Sequence, residues 1–272
     1  MRWPASLVAG GGTFALIAAC AMLGPALAPF PFDEMNILAR FLPPDATHWF
    51  GTDEFGRDVL SRLLYGARLS LLMGLGATLV CLLSGVPLGL AAGYYGGRID
   101  EAIMRLVDLL ISVPPILMGI LILSMTPPNP WKTAVAVGII YVPIMVRLTR
   151  AVTLEIASEE FVLAARARGE RAWYILGAEI LPNAWPPIIV ESALRVTFAI
   201  MLGAALSFLG LGVHPPASDW GLMIAEARPF IAEAPWVAIA PGVVLCITVI
   251  AVNLIGDGLR ELLDPRLKRG RG

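Results

Sequence analysis

The chain has 272 residues, of which 57% are hydrophobic and only 15% charged, with a mean hydropathy of +0.76. That balance excludes an ordinary water-soluble domain, in which about a quarter of the residues are charged. A formal net charge of -1 excludes a basic nucleic-acid footprint, and Cys20, Cys81 and Cys246 each lie inside an apolar run, where they act as small hydrophobes and not as a disulfide framework or a metal set.

In chain order, charge-free runs cover residues 3–32, 69–97, 109–131, 133–146, 196–218 and 234–256. A helix needs about 20 apolar residues to cross about 30 Å of hydrocarbon. Five runs reach that length. The fourth is short, and Arg147 and Arg150 can snorkel from its end. The fifth is expected to begin nearer Pro187 and so to include Glu191 and Arg195. The expectation is an all-α polytopic membrane protein with six transmembrane helices. Ala26-Leu27-Ala28 looks like a cleavage site, but the apolar stretch before it exceeds a signal core and its positive region is Arg2 alone, so a retained span is expected.

Between the first two runs, Gly51, Asp53 and Gly56 mark turns, and Leu60, Leu63 and Leu64 then fall on one side of a helix. Asp53, Glu54 and Asp58 lack the alternating ligand spacing of a calcium loop. Pro87 in the second span and Pro114-Pro115 in the third remove helical hydrogen bonds and permit bends. Glu191 and Arg195 are four apart on one face of the fifth span; they form either a pathway-lining pair or a mutually satisfied structural pair. Ser218 is placed to cap a short helix running to Ala227.

The long polar interruption is residues 155–182, EIASEEFVLAARARGERAWYILGAEILP. Ser158 can cap a helix whose first turn holds Glu159 and Glu160 and whose last turn holds Arg166 and Arg168, the order that the helix dipole favours. The pattern predicts a helix over about 159–168. On it Phe161, Ala164, Ala165 and Arg168 share a face, with one large anchor beside small residues that permit close approach. Gly169 is the expected stop and Pro182 the expected block at the far end. Counting Lys and Arg in the connecting segments gives thirteen on the side of this loop, against six on the other, with Arg195 inside a span. The excess predicts that the loop and both termini are cytoplasmic.

Ala164-Ala165, Gly169 and Ile180-Leu181-Pro182, at their spacing, resemble the EAA loop of permease subunits of ABC importers. Leu163 and Glu179 depart from that motif, standing where Glu and Ile are usual. Four further stretches resemble the peptide and nickel branch: THWFGTDEFGRDVLSRLLYGARLSLL (47–72), GYYGGRIDEAIMRLVD (93–108), LSFLGLGVHPPASDWG (206–221) and NLIGDGLRELLDPRLK (253–268). Gly203 stands where many peptide-type members carry an acidic residue.

The resemblance implies a type I ABC importer transmembrane domain with a cytoplasmic coupling helix, in which Glu160, Phe161, Ala164, Ala165, Arg168 and Gly169 meet the ATPase. It divides the chain into residues 1–68 (first helix and external segment), 69–265 (permease core) and 266–272 (basic tail). It implies a bacterial inner membrane, a second homologous permease, two ATPase subunits and an extracytoplasmic binding protein. The cargo it implies is short peptides, with nickel or a metal chelate as the alternative. Lys132 and Lys268 are the only lysines and neither lies in a glycine-rich phosphate loop. ATP and Mg are therefore expected on the partner ATPase, with no cofactor or metal on this chain. An ion-driven carrier would call for an internal repeat and more buried acids, and an intramembrane enzyme for paired catalytic residues at depth.

Overall fold

The structure, a computed structural model, describes residues 3–125, 127 and 129–263; Arg2 and the basic tail lie outside them. Its elements are helices: α1 (Ala5–Leu27), α2 (Val59–Tyr95), α3 (Gly97–Ile111), α4 (Pro115–Ser124), α5 (Pro130–Ile156), α6 (Glu160–Ala167), α7 (Ala172–Phe208), α8 (Trp220–Ala227) and α9 (Pro235–Leu263). Five of them, α1, α2, α5, α7 and α9, are long and apolar enough to cross a membrane. The expected third span differs. It is the pair α3 and α4, bent by 88° at the break before Pro115. A residue preceding proline is pushed out of the helical region, so Pro114-Pro115 ends one helix and starts another instead of bending a single one.

Two other spans are longer than the charge-free runs. α2 begins at Val59, capped by Asp58, whose carboxylate accepts from the Ser61 N–H at 2.8 Å. The helix therefore runs straight through the expected boundary at residues 68 and 69. α5 continues past Val146 to Ile156, carrying Arg147 and Arg150 in its last third. Each pairs with an acid of α3, Arg147 with Asp108 and Arg150 with Asp100, both at 2.5 Å.

The centre of the bundle is the seam between α2 and α5. Gly85, Gly89 and Gly93 recur every four residues along α2, and α5 lies against them. A methyl group on Gly89 would come within 2.5 Å of the Thr149 Cβ, and one on Gly93 within 2.6 Å of the Thr153 Cβ. Small residues at this spacing let two helix backbones approach where lipid offers no hydrophobic drive. α1 is held on α9 in the same way: Gly10 faces the Ala251 carbonyl and Gly258 faces Leu7.

α7 is a single helical rod of 37 residues that starts ten residues before the expected block at Pro182. A wide π turn over Ile175–Ile180 shifts the hydrogen-bond register just ahead of Pro182, which then occupies the first turn of the α-helical part, where its missing N–H costs nothing. The fifth span is therefore not delayed to Pro187. At the other end of the bundle, α8 stops at Ala227 as expected, but its cap is Asp219, accepting from the Leu222 N–H at 2.9 Å. Ser218 is buried and its hydroxyl has no partner.

Candidate functional site

α6 forms between two turns at the foot of the bundle. Its N-cap is Glu159, not Ser158; the Ser158 hydroxyl instead donates back to the Glu155 carbonyl at 2.7 Å, closing the end of α5. Its C-terminus is a Schellman turn. Gly169, at φ +78°, donates to the Arg166 carbonyl and Glu170 donates to the Ala165 carbonyl. That left-handed residue is why a glycine stands there.

The face expected to hold Phe161, Ala164, Ala165 and Arg168 is divided in the structure. Ala165 and Val162 are fully buried, packed with Ile175, Ile180, Ala184 and Ile188 in the core of the chain. Glu160, Phe161, Leu163, Ala164, Arg168 and Gly169 remain on the surface. The exposed face of α6 is thus rotated away from Ala165 and centred on Ala164, between the exposed side chains of Phe161 and Leu163, with Trp173 also exposed on the next segment. Arg168 lies 3.8 Å from Glu179, so the acid that departs from the motif becomes a partner for the last turn of α6. Arg166 lies over the Tyr94 ring, 4.6 Å from its centroid, and joins α6 to the end of α2. Neither that stacking pair nor Trp173 stood out in the sequence; the run of aromatics at Tyr94-Tyr95 was the available signal.

Glu191 and Arg195 are brought together on α7, 2.8 Å apart. The Arg195 Nε–H is not aligned on the carboxylate, so this is an ion pair and not a directed hydrogen bond. The guanidinium also lies over Tyr141 and Phe198, at 5.3 and 4.9 Å from the ring centroids. Such stacking stabilises a cation held inside an apolar bundle. Glu191 lines a cavity of about 430 Å³ with Leu148, Pro186, Pro187 and Arg260. Gly203, by contrast, is buried on the far half of α7, where a methyl group would fit in ordinary contact with the Met73 Cβ at 3.9 Å.

At the opposite end of α2 lies a buried charge cluster that sequence reading missed. Asp53 is fully buried and accepts from Arg57 Nε and Arg62 Nη1, both at 2.6 Å. Glu226 of α8 accepts from Arg62 at 2.6 Å and Arg57 at 3.2 Å, and Glu54 accepts from Arg57 at 3.2 Å. The Asp53 and Asp58 carboxylates are therefore committed to arginine and to the α2 cap. Among the described residues no group of three or more His, Cys, Asp or Glu is arranged to hold a metal ion.

A helical membrane bundle with one short helix folded back against its foot, outer face bare and inner face built into the core, is the architecture of a type I ABC importer transmembrane domain. Its fold matches that of the inward-facing MetNI methionine ABC transporter with a TM-score of 0.63 at 19% identity, over 75% of this chain and 96% of that one. The chain belongs to the family of binding-protein-dependent transport system inner membrane components, whose model matches residues 85–269. It is a multi-pass permease subunit of an ABC importer. It is 44% identical to the dipeptide transport system permease protein DppC of Alkalihalophilus pseudofirmus, over 91% of this chain and 82% of that protein. It is 42% identical to the di/tripeptide transport system permease protein DppC of Pseudomonas aeruginosa (93% and 86%), and 38% identical to the oligopeptide transport system permease protein OppC of Bacillus subtilis (93% and 83%).

Proposed function

We propose that this permease contributes half of a pathway that imports short peptides across a bacterial inner membrane. The observation that carries the cargo is its 44% identity, over most of both chains, to a dipeptide permease. The nickel alternative has no such support among the relatives named above. A second homologous permease completes the pathway, two ATPase subunits bind and hydrolyse ATP with Mg, and an extracytoplasmic binding protein delivers the peptide. α6 lies in the cytoplasm with both termini, and the cluster around Asp53 and Glu226 faces the binding protein.

In this reading α6 is the coupling helix. Phe161, Leu163 and Ala164 sit in a cleft of the ATPase, with Glu160 and Arg168 at its rim, while Val162 and Ala165 carry the movement inward to the α7 core. A stiff rod is needed for that, and the Schellman turn at Gly169 fixes one end of it. Glu191 and Arg195 support the bundle beside the pathway. The test is uptake of a labelled dipeptide against labelled nickel in cells lacking the gene and in cells regaining it. Restored dipeptide uptake, dependent on ATP and on the binding protein, is expected; restored nickel uptake alone would overturn the cargo.

A further inference from the structure

We propose that α3 is a membrane-plane helix, seated in the headgroup and upper acyl region of the leaflet nearest α6, and that the return across the bilayer, which the parallel run of α2 and α5 requires, falls to α4 and not to α3. The first support is its direction. Asp100 and Asp108 of α3 are eight residues apart, about 12 Å along a helix, yet they pair with Arg150 and Arg147 of α5, which are only about 4.5 Å apart along theirs. A helix antiparallel to α5 would need its two arginines splayed by about 7.5 Å along the axis, whereas one crossing it steeply meets guanidinium groups that already diverge around α5. The 88° bend into α4 agrees with this.

The second support is its level. Leu148, between those two arginines, lines the same cavity as Glu191 of α7 and Arg260 of α9. Charges on four helices thus meet at one height, while α5 carries none between Lys132 and Arg147. Such a belt marks the edge of the hydrocarbon.

The third support is the division of the α3 surface. Val107 is buried against the bundle, flanked by the paired Asp100 and Asp108. Ile99, Leu106 and Leu109 share a second face and are 47%, 56% and 65% exposed. Arg98, Glu101 and Arg105 form a third face, all exposed, with Arg105 paired to Glu101 at 2.5 Å. An apolar stripe beside a charged stripe on a transverse helix fits the boundary of a phospholipid leaflet, with acyl chains below and water above. The two ion pairs then tie α5 to the leaflet just before it leads into α6, so the bilayer itself sets the depth of the segment that carries α6.

The experiment uses the full chain co-expressed with its importer subunits and placed in phospholipid nanodiscs. Cys20, Cys81 and Cys246 are replaced, and single spin-labelled cysteines are introduced at positions 98, 99, 101, 105, 106 and 109. The expected result is high oxygen accessibility at 99, 106 and 109, high aqueous-reagent accessibility at 98, 101 and 105, and depths at 99 and 109 that agree within about 5 Å. An upright helix would separate those two depths by roughly 15 Å and would overturn the proposal. So would low accessibility to both reagents at 99, 106 and 109, which would mean that another subunit covers this face. The labelled positions are exposed, Cys81 of the background is buried, and ATP hydrolysis by each labelled complex in the nanodisc verifies that the chain remains assembled.

Discussion

The Arg62 guanidinium, one turn into α2, meets the Glu226 carboxylate of α8 at 2.6 Å across 164 positions of sequence, and its other arm meets Asp53 at 2.6 Å. This fork pins the segment before α2 to the helix between the last two spans. Removing one partner of a buried pair leaves an uncompensated charge, at a cost of about 3–5 kcal/mol. Arg62→Ala is therefore expected to lower the unfolding temperature in detergent sharply. Arg62→Lys should recover little, because a point ammonium does not span two carboxylates as a planar fork does. Equal thermal stability of the lysine variant and the wild type would refute the forked arrangement.

Glu54 sits at the edge of that cluster with one carboxylate oxygen buried and unpartnered. Burial pushes its carboxyl above the usual range, the neighbouring Asp53 and Glu226 charges add to this, and Arg57 opposes it. The folded state therefore holds this proton to higher pH than the unfolded chain does. Stability falls as pH rises from the ordinary glutamate value through the raised native one. Glu54→Gln removes that loss. The unfolding temperatures of variant and wild type should coincide near pH 4 and separate by pH 7, with the variant higher. A variant that is less stable at pH 7 would show that the charge of Glu54 is needed.

Much of this architecture is legible in the sequence, because the apolar runs and the loop at 155–182 are set by short-range chemistry. The stop at Gly169 is read correctly since a left-handed turn residue is local. What escapes is pairing at a distance. Nothing near Arg62 announces Glu226, and nothing near Arg147 announces Asp108, so the first cluster goes unseen and α5 is predicted too short. The Gly85, Gly89, Gly93 stripe was present at a spacing of four and specifies the seam with α5. The caps show the limit of local reading: Ser158 and Ser218 have the right chemistry, but each neighbouring acid, Glu159 and Asp219, occupies the cap position.

Under the proposed coupling role of α6, Ala164 and Ala165 separate docking from folding. Ala164 is exposed and Ala165 fully buried. Ala164→Trp should leave expression and thermal stability within about 0.5 kcal/mol of wild type, as for surface positions generally. It should nonetheless reduce co-purification of the ATPase. Ala165→Trp should overpack the core, at a cost of about 1–3 kcal/mol, and lower the yield of folded protein. The reverse pattern, with Ala164→Trp assembling normally and Ala165→Trp folding normally, would place the docking face elsewhere.

Tyr94 and Arg166 offer a joint that can be loosened without touching the proposed docking face. The ring lies at the last turn of α2, and the guanidinium above it, 4.6 Å from its centroid, belongs to α6. A cation over an aromatic face contributes about 0.5–1 kcal/mol where solvent reaches it. Tyr94→Leu should therefore barely alter unfolding and should leave ATPase co-purification intact, since Phe161 and Ala164 are unchanged. It should lower the peptide transported per ATP hydrolysed, because α6 would move with less effect on α2. Tyr94→Phe retains the π face and should restore the ratio. If the leucine and phenylalanine variants transport equally per ATP, the stacking contact does not transmit force and α6 acts on the bundle through Val162 and Ala165 alone.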